Sequence, residues 1–239
     1  MTTAELLLGL VVLLGASVQR LTGIGFALVT APVLALLVGP GQGVLVSNCA
    51  SAAISAVGLC AGWRQVRLSA MLPLVLAAAC TVPAGAWVAD RLPERALLTS
   101  IGAVVVVAVL LVIAGAQVAS LRGRGGAVVA GAASGFLNSS AGVGGPALSL
   151  YAVNAQWPVR EFVPNAQFYG VVVNLFSMAA KGLPRLASPG WALLAMGVAG
   201  GAVVGRLLGE WLSDRQARRL VLGLALLGSL ATLAKGLLG

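Results

Sequence analysis

The sequence predicts an all-α polytopic membrane protein. It has two inverted repeats, each a broken or re-entrant helical hairpin followed by three transmembrane helices. Three observations carry that expectation. Hydrophobic residues make up 59% of the 239 residues and charged residues only 9%, with a mean hydropathy of +1.02. Apolar runs of bilayer-spanning length alternate with short loops that hold most of the charges. The second half repeats the residue classes of the first at an offset of 119 positions. A soluble domain carries about 25% charged residues, so this composition leaves too little polar surface to face water. It excludes a soluble enzyme, a disordered chain and a disulfide scaffold.

In chain order, the first apolar runs are 6–18 and 26–38, which flank Gln19-Arg20-Leu21-Thr22-Gly23-Ile24-Gly25. At 1.5 Å per residue neither reaches more than about 20 Å, short of the ~30 Å hydrocarbon core. Runs 44–61, 69–89 and 96–116 each come close to the ~20 residues that a crossing needs. Runs 127–137 and 146–153 are short again, and flank Asn138-Ser139-Ser140-Ala141-Gly142-Val143-Gly144-Gly145. Runs 163–180, 191–208 and 220–238 complete the second half. Each short pair reads as two half-helices meeting at a break inside the membrane, where unwound backbone is tolerated only if protein or a water-filled cavity surrounds it. Trp63, Trp87, Trp157, Trp191 and Trp211 fall at or just beyond the ends of apolar runs, the interfacial position that suits an indole. Glu5 stands where a signal peptide carries basic residues, so no cleavable signal is expected.

The offset places Gln19 on Asn138, Gly23-Ile24-Gly25 on Gly142-Val143-Gly144, Val44 on Val163 and Asn48 on Gln167. Two membrane repeats, 1–119 and 120–239, are therefore expected to form one domain, joined near Arg122 and Arg124. The net charge of +9 would suggest a nucleic-acid partner in a soluble protein. Here the cations sit in loops and read as topology signals, with the lipid bilayer as the partner and no nucleic acid. If each broken hairpin enters and leaves on one side, the second repeat is inverted. One side then holds eight cations (Arg64, Arg67, Arg122, Arg124, Arg160, Arg215, Arg218, Arg219) and the other five (Arg91, Arg95, Lys181, Arg185, Lys235). Treating 4–38 and 127–154 as single spans gives seven against six at best. Cytoplasmic loops carry the Lys and Arg excess, which favours the inverted arrangement. Inverted repeats with discontinuous helices recur in secondary transporters.

The candidate site follows from the breaks. Half-helices starting near Phe26 and Pro146 would aim free N–H groups and positive dipole ends at the break, an arrangement that binds anions. Arg20 either adds a five-donor fork for an anionic ligand or snorkels to the interface. The first half offers Gln19, Arg20, Thr22, Gly23 and Gly25; the second offers Asn138, Ser139, Ser140, Gly142, Gly144 and Gly145 without a cation. Glycines there either let a ligand approach the backbone or let helices pack closely. Asn48 and Gln167 occupy equivalent places inside the following spans and either contact substrate or bond neighbouring helices; Asn174 is expected to pack. None of the six acids lies centrally in a span, and histidine is absent, so neither acid–base catalysis nor a side-chain proton relay has an obvious carrier. Cys49, Cys60 and Cys80 form no CxxC pair and read as small packing residues, so no metal or other cofactor is expected. No phosphate-binding loop of the Walker type is present, which argues against ATP-driven transport.

A glycine-rich break near the start of each half, followed by a proline-bearing apolar segment, resembles the sulfite exporter TauE/SafE family of bacterial membrane transporters. The residues that carry the resemblance are Gly23-Ile24-Gly25 through Pro32, and Gly142-Val143-Gly144-Gly145-Pro146. Gly85-Ala86-Trp87-Val88-Ala89-Asp90-Arg91-Leu92-Pro93 and Gly205-Arg206-Leu207-Leu208 add to them, so the likeness covers nearly the whole chain. The first break departs from the family's usual run of three glycines: it reads Gly-Ile-Gly-Phe, so Phe26 is expected to narrow or reshape that side. The resemblance implies export of a small anionic substrate, sulfite, a sulfonate or another organosulfur anion. A passive anion channel and a non-transporting assembly module are the competing readings, and the sequence is compatible with a homodimer.

The charge count makes a prediction. On a cysteine-free background, single-cysteine labelling should find the 64–67 and 122–124 loops on one, cytoplasmic, face and Lys181/Arg185 on the other. Finding 64–67 and 122–124 on different faces would rule out three spans per half.

Overall fold

The computed structural model describes residues 3–114 and 122–238, save the side chains of Asp214 and Arg218. The expected repeat boundary at 119/120 lies outside the described residues, as does the Arg218 side chain counted above. Ten α-helices follow one another among the described residues: α1 (Thr3–Thr22), α2 (Phe26–Val38), α3 (Pro40–Gly62), α4 (Leu68–Arg91) and α5 (Glu94–Ile113) come first. Then follow α6 (Gly123–Ala141), α7 (Gly145–Asn154), α8 (Val159–Lys181), α9 (Ser188–Leu208) and α10 (Asp214–Leu238). Each half is thus a long helix, a short break, a short helix and three long helices.

The breaks are narrower than the sequence suggested. Gln19, Arg20 and Thr22 continue α1, and Asn138, Ser139 and Ser140 continue α6; only residues 23–25 and 142–144 leave the helix. The polar residues stay helical because their hydroxyls fold back on the preceding turn: Thr22 donates to Val18 O at 2.9 Å, Ser139 to Gly135 O at 3.0 Å and Ser140 to Phe136 O at 2.7 Å. Glycine ends both helices. Gly23 (φ 78°) and Gly142 (φ 74°) are left-handed, and their N–H groups bond Gln19 O and Asn138 O at 2.8 and 3.0 Å. A left-handed residue after the last turn costs a side chain dearly and glycine nothing.

Six described helices are long and apolar enough to cross a membrane: α1, α3 with the turn after it, α4, α5, α9 and α10. At 20 residues α1 extends to about 30 Å, so it is more than the expected half-helix. α8 is 23 residues long but falls outside the six, because Asn165, Gln167, Asn174 and Ser177 line its inner face and lower its hydropathy. All four are buried, while Leu72, Leu76 and Leu227 are 57%, 56% and 70% exposed. Polar inside and apolar outside is the distribution that lipid demands.

Pairing between helices follows the sequence register. Gly9 meets Leu193, Val12 meets Gly197, Ala16 meets Gly201, and Ser17 and Arg20 meet Gly205, so α1 and α9 run parallel. Leu74 meets Gly131, Ala78 meets Gly135 and Gly85 meets Ser139, so α4 and α6 also run parallel. At the centre α3 and α8 are antiparallel, with Gly62 on Pro164, Gly58 on Gln167 and Ser55 on Gly170. On the periphery Gly102 meets Leu233 and Thr99 meets Gly236, which makes α5 and α10 antiparallel. Lipid supplies no hydrophobic drive between helices, so close backbone approach at small residues does the work.

The α1–α9 seam is the tightest test of this packing. A Cβ on Gly201 would stand 2.5 Å from both Leu13 O and Ala16 Cβ, while one on Gly223 would meet nothing within 4 Å. Gly201→Leu should therefore lower the thermal unfolding midpoint in detergent by an amount equivalent to about 1–3 kcal/mol or more, and Gly223→Ala should leave it unchanged or raise it.

Candidate functional site

Where the two breaks face each other, between the middles of α3 and α8, the protein has a partly open cavity of about 60 Å³. A water needs roughly 10–15 Å³ of such space, so the cavity accommodates a small hydrated or oxygen-rich ion. Gln19 and residues 23–27 line it from the first half, and Ser134, Asn138, Gly144, Gly145 and Leu148 from the second. Ser51 and Ser55 on α3, and Tyr169, Gly170 and Asn174 on α8, complete the walls. No charged side chain is among the lining residues.

A hydrogen-bonded frame holds the walls. Gln19 Nε2 donates to Ser55 Oγ at 2.8 Å and to Gln167 Oε1 at 3.0 Å, and Gln167 Nε2 donates to Gly23 O at 2.8 Å. The second half has a matching set: Asn138 Nδ2 donates to Asn174 Oδ1 at 3.1 Å and to Ser177 Oγ at 2.9 Å. Asn174 Nδ2 in turn donates to Ser51 Oγ at 3.2 Å. Gln19 and Asn138, which the offset equates, thus bond Ser55 and Asn174, which it also equates.

The same frame decides which backbone groups remain available. Carbonyls at and around the breaks are taken: Gln167 bonds Gly23 O, Asn48 bonds Asn138 O at 3.4 Å, Lys181 Nζ bonds Ser139 O at 3.0 Å and Ser134 Oγ bonds Gly144 O at 2.8 Å. The opposite ends of the breaks are helix starts. α2 begins at Phe26 and α7 at Gly145, neither with a side-chain cap, and both starts line the cavity. The first N–H groups of a helix have no intrahelical acceptor and carry the positive end of its dipole. Beside the two helix starts the lining is uncharged: the Gln19, Asn138 and Asn174 amides, whose N–H groups are spent in the frame, the Ser51, Ser55 and Ser134 hydroxyls, and apolar side chains that include Ile24, Phe26, Leu148 and Val173.

Of the expected site residues, Gln19, Gly23, Gly25, Asn138, Gly144 and Gly145 line the cavity. Gln167 and Asn48 stand one layer back, on the frame, and the Asn48 Oδ1 is buried without a partner. Thr22, Ser139 and Ser140 bond their own helices or the adjoining turn, and Gly142 packs near Val44 of α3. Arg20 is elsewhere: it is exposed and lines a separate open groove with Arg206 and Glu210, because its position on α1 faces α9. Asn174, expected to pack, lines the cavity. Ser51, Ser55, Ser134 and Tyr169 were not singled out for it. A signal existed, since Asn48, Ser51 and Ser55, like Gln167, Gly170 and Asn174, recur at three- and four-residue spacing and so share one helix face.

Phe26 reshapes its side as the departure from three glycines implied. It is fully buried, and its ring packs about 3 Å from where a Cβ on Gly15 would stand. The positions equivalent to Phe26 and Gly15 are Gly145 and Ser134, and a Cβ on Gly145 would meet nothing within 4 Å. Phe26 thus lines the cavity from the first half where the second half offers Gly145. Tyr169 is 3% exposed; its hydroxyl lies near Ser134 but makes no hydrogen bond.

The frame predicts a stability effect. Gln167→Leu leaves the buried Gly23 carbonyl without its donor and should cost about 1–3 kcal/mol in thermal unfolding. The exposed Gln65→Leu should stay within about 0.5 kcal/mol of wild type.

The family model described as sulfite exporter TauE/SafE matches residues 7–233 of the chain. No curated protein and no solved structure matches it.

Proposed function

The chain belongs to the sulfite exporter TauE/SafE family, a family of membrane transporters, and from that premise we propose that it is a secondary exporter of a compact anion held in the central cavity. Sulfite or a small sulfonate is the substrate class that suits the space. One observation carries the reading: two uncapped helix starts line a cavity that has no charged side chain, and nearby carbonyls already accept hydrogen bonds from side chains. Such a site attracts charge without binding it irreversibly, as a carrier that must release its substrate requires. The residues proposed to contact the anion are Gln19, Gly23, Gly25, Asn138, Gly144 and Gly145, with Ser51, Ser55, Ser134 and Asn174 added from the structure. Arg20 is not needed for this.

The proposal includes two inverted repeats in the bacterial inner membrane, with the 64–67 and 122–124 loops cytoplasmic. Helix pairing supports the inversion. Under the offset α1 corresponds to α6 and α4 to α9, and the pairs α1–α9 and α6–α4 are both parallel. Corresponding helices that touch, α3 with α8 and α5 with α10, run antiparallel, as a two-fold axis in the membrane plane demands.

Binding to purified protein tests the site. Sulfite, thiosulfate, sulfonates and small carboxylates are screened by thermal shift, and a selective rise in the unfolding midpoint is expected for sulfite or a sulfonate. Gly145→Leu, which projects a side chain into open space, should abolish that shift while unfolding at the wild-type temperature without ligand. Arg20→Ala should keep the affinity within about twofold. A loss of about tenfold or more in Arg20→Ala, the size expected for a charge-assisted contact, would move the substrate to the arginine instead. In vesicles, flux that saturates and shows counterflow separates a carrier from a channel, and absence of any ligand-dependent shift favours an assembly module.

A further inference from the structure

We propose that the groove between the carboxyl-terminal ends of α1, α3 and α9 binds the headgroup of an anionic phospholipid, with Arg20 and Arg206 on the phosphate. The groove is separate from the central cavity, and this proposal stands whether or not the cavity carries the transported anion. It is open, has a volume of 450 Å³, and is lined by Arg20, Arg206 and Glu210 together with Val57, Val203 and Leu207.

Glycine packing creates it. A Cβ on Gly205 would collide with Arg20 Cβ at 2.6 Å, so the bare backbone of α9 lets Arg20 stand directly beside the turn that carries Arg206. Two arginines thereby line one groove from two helices. Neither forms an ion pair with Glu210 or with another described carboxylate; Arg67, after the end of α3, is the arginine that pairs, with Glu161. Glu210 leaves the groove a net charge of one positive unit and offers an acceptor to headgroup hydroxyls.

The walls decide between a lipid and a dissolved ion. Val57, Val203 and Leu207 are 44%, 59% and 54% exposed, so apolar surface continues outward from the arginines as acyl chains require. A free anion has no use for that surface. The groove also lies at the end of α9 that leads into Arg215 and Arg219, the cation-rich side of the molecule. Anionic headgroups concentrate against such sides, and basic pockets between transmembrane helices capture them.

The experiment is native mass spectrometry of the full chain titrated with phosphatidylglycerol and with phosphatidylcholine of the same acyl chains. Wild type should bind phosphatidylglycerol more tightly. Each arginine near a membrane surface contributes about fivefold, so Arg20→Ala/Arg206→Ala should weaken that binding about thirtyfold, to the level of phosphatidylcholine. Arg64→Ala/Arg160→Ala, which removes equal charge from the same side, should leave it within twofold. Leu207→Trp fills the apolar wall with both arginines in place and should also lose the preference, which keeps the test decisive if the double variant does not fold. Equal binding of the two lipids, an unaffected double variant or an unaffected Leu207→Trp overturns the proposal. So does full competition by glycerol phosphate alone at matched concentration, which would make the groove a free-anion site.

Discussion

Backbone polar groups inside a membrane have no water to turn to, and the structure of this protein depends on how two interrupted helices meet that condition. Each break exposes carbonyls on one side and N–H groups on the other. Side chains from the opposite half answer the carbonyls: Gln167 reaches Gly23, and Asn48 reaches Asn138. An unpaired polar group buried in hydrocarbon costs several kcal/mol, so these amides are structural necessities before they are anything else. The consequence is functional. With these carbonyls bonded, the starts of α2 and of α7 face the cavity with the donor ends of their helices, which is the basis of the anion-carrier proposal.

The two halves meet the condition with different residues. In the first, Phe26 lies over Gly15 and fills the space that its counterpart leaves open. In the second, Gly145 and Ser134 replace ring and glycine, and both line the cavity. Glycine serves a second purpose in the same fold. Gly197, Gly201 and Gly205 repeat every fourth residue along α9 and bring its backbone against α1, which fixes where Gln19 and Arg20 stand. Successive residues of a helix point about 100° apart, so this one contact sends Gln19 into the cavity and Arg20 into the outer groove.

The sequence by itself determined the class of protein, the ten helical segments, the places of both glycine breaks and the correspondence of Gln19 with Asn138 along the offset. These are matters of composition, run length and local backbone conformation, and each is decided by residues close together in the chain. It also singled out Arg20, because a cation beside a break is conspicuous in an apolar chain. Only the tertiary structure places that side chain in the outer groove. Which face of α1 turns inward depends on α9, nearly two hundred residues away. That Asn174 lines the cavity while Gln167 frames it depends on how α8 crosses α3. Facing directions are set by packing between distant helices, and no local pattern of residues contains them.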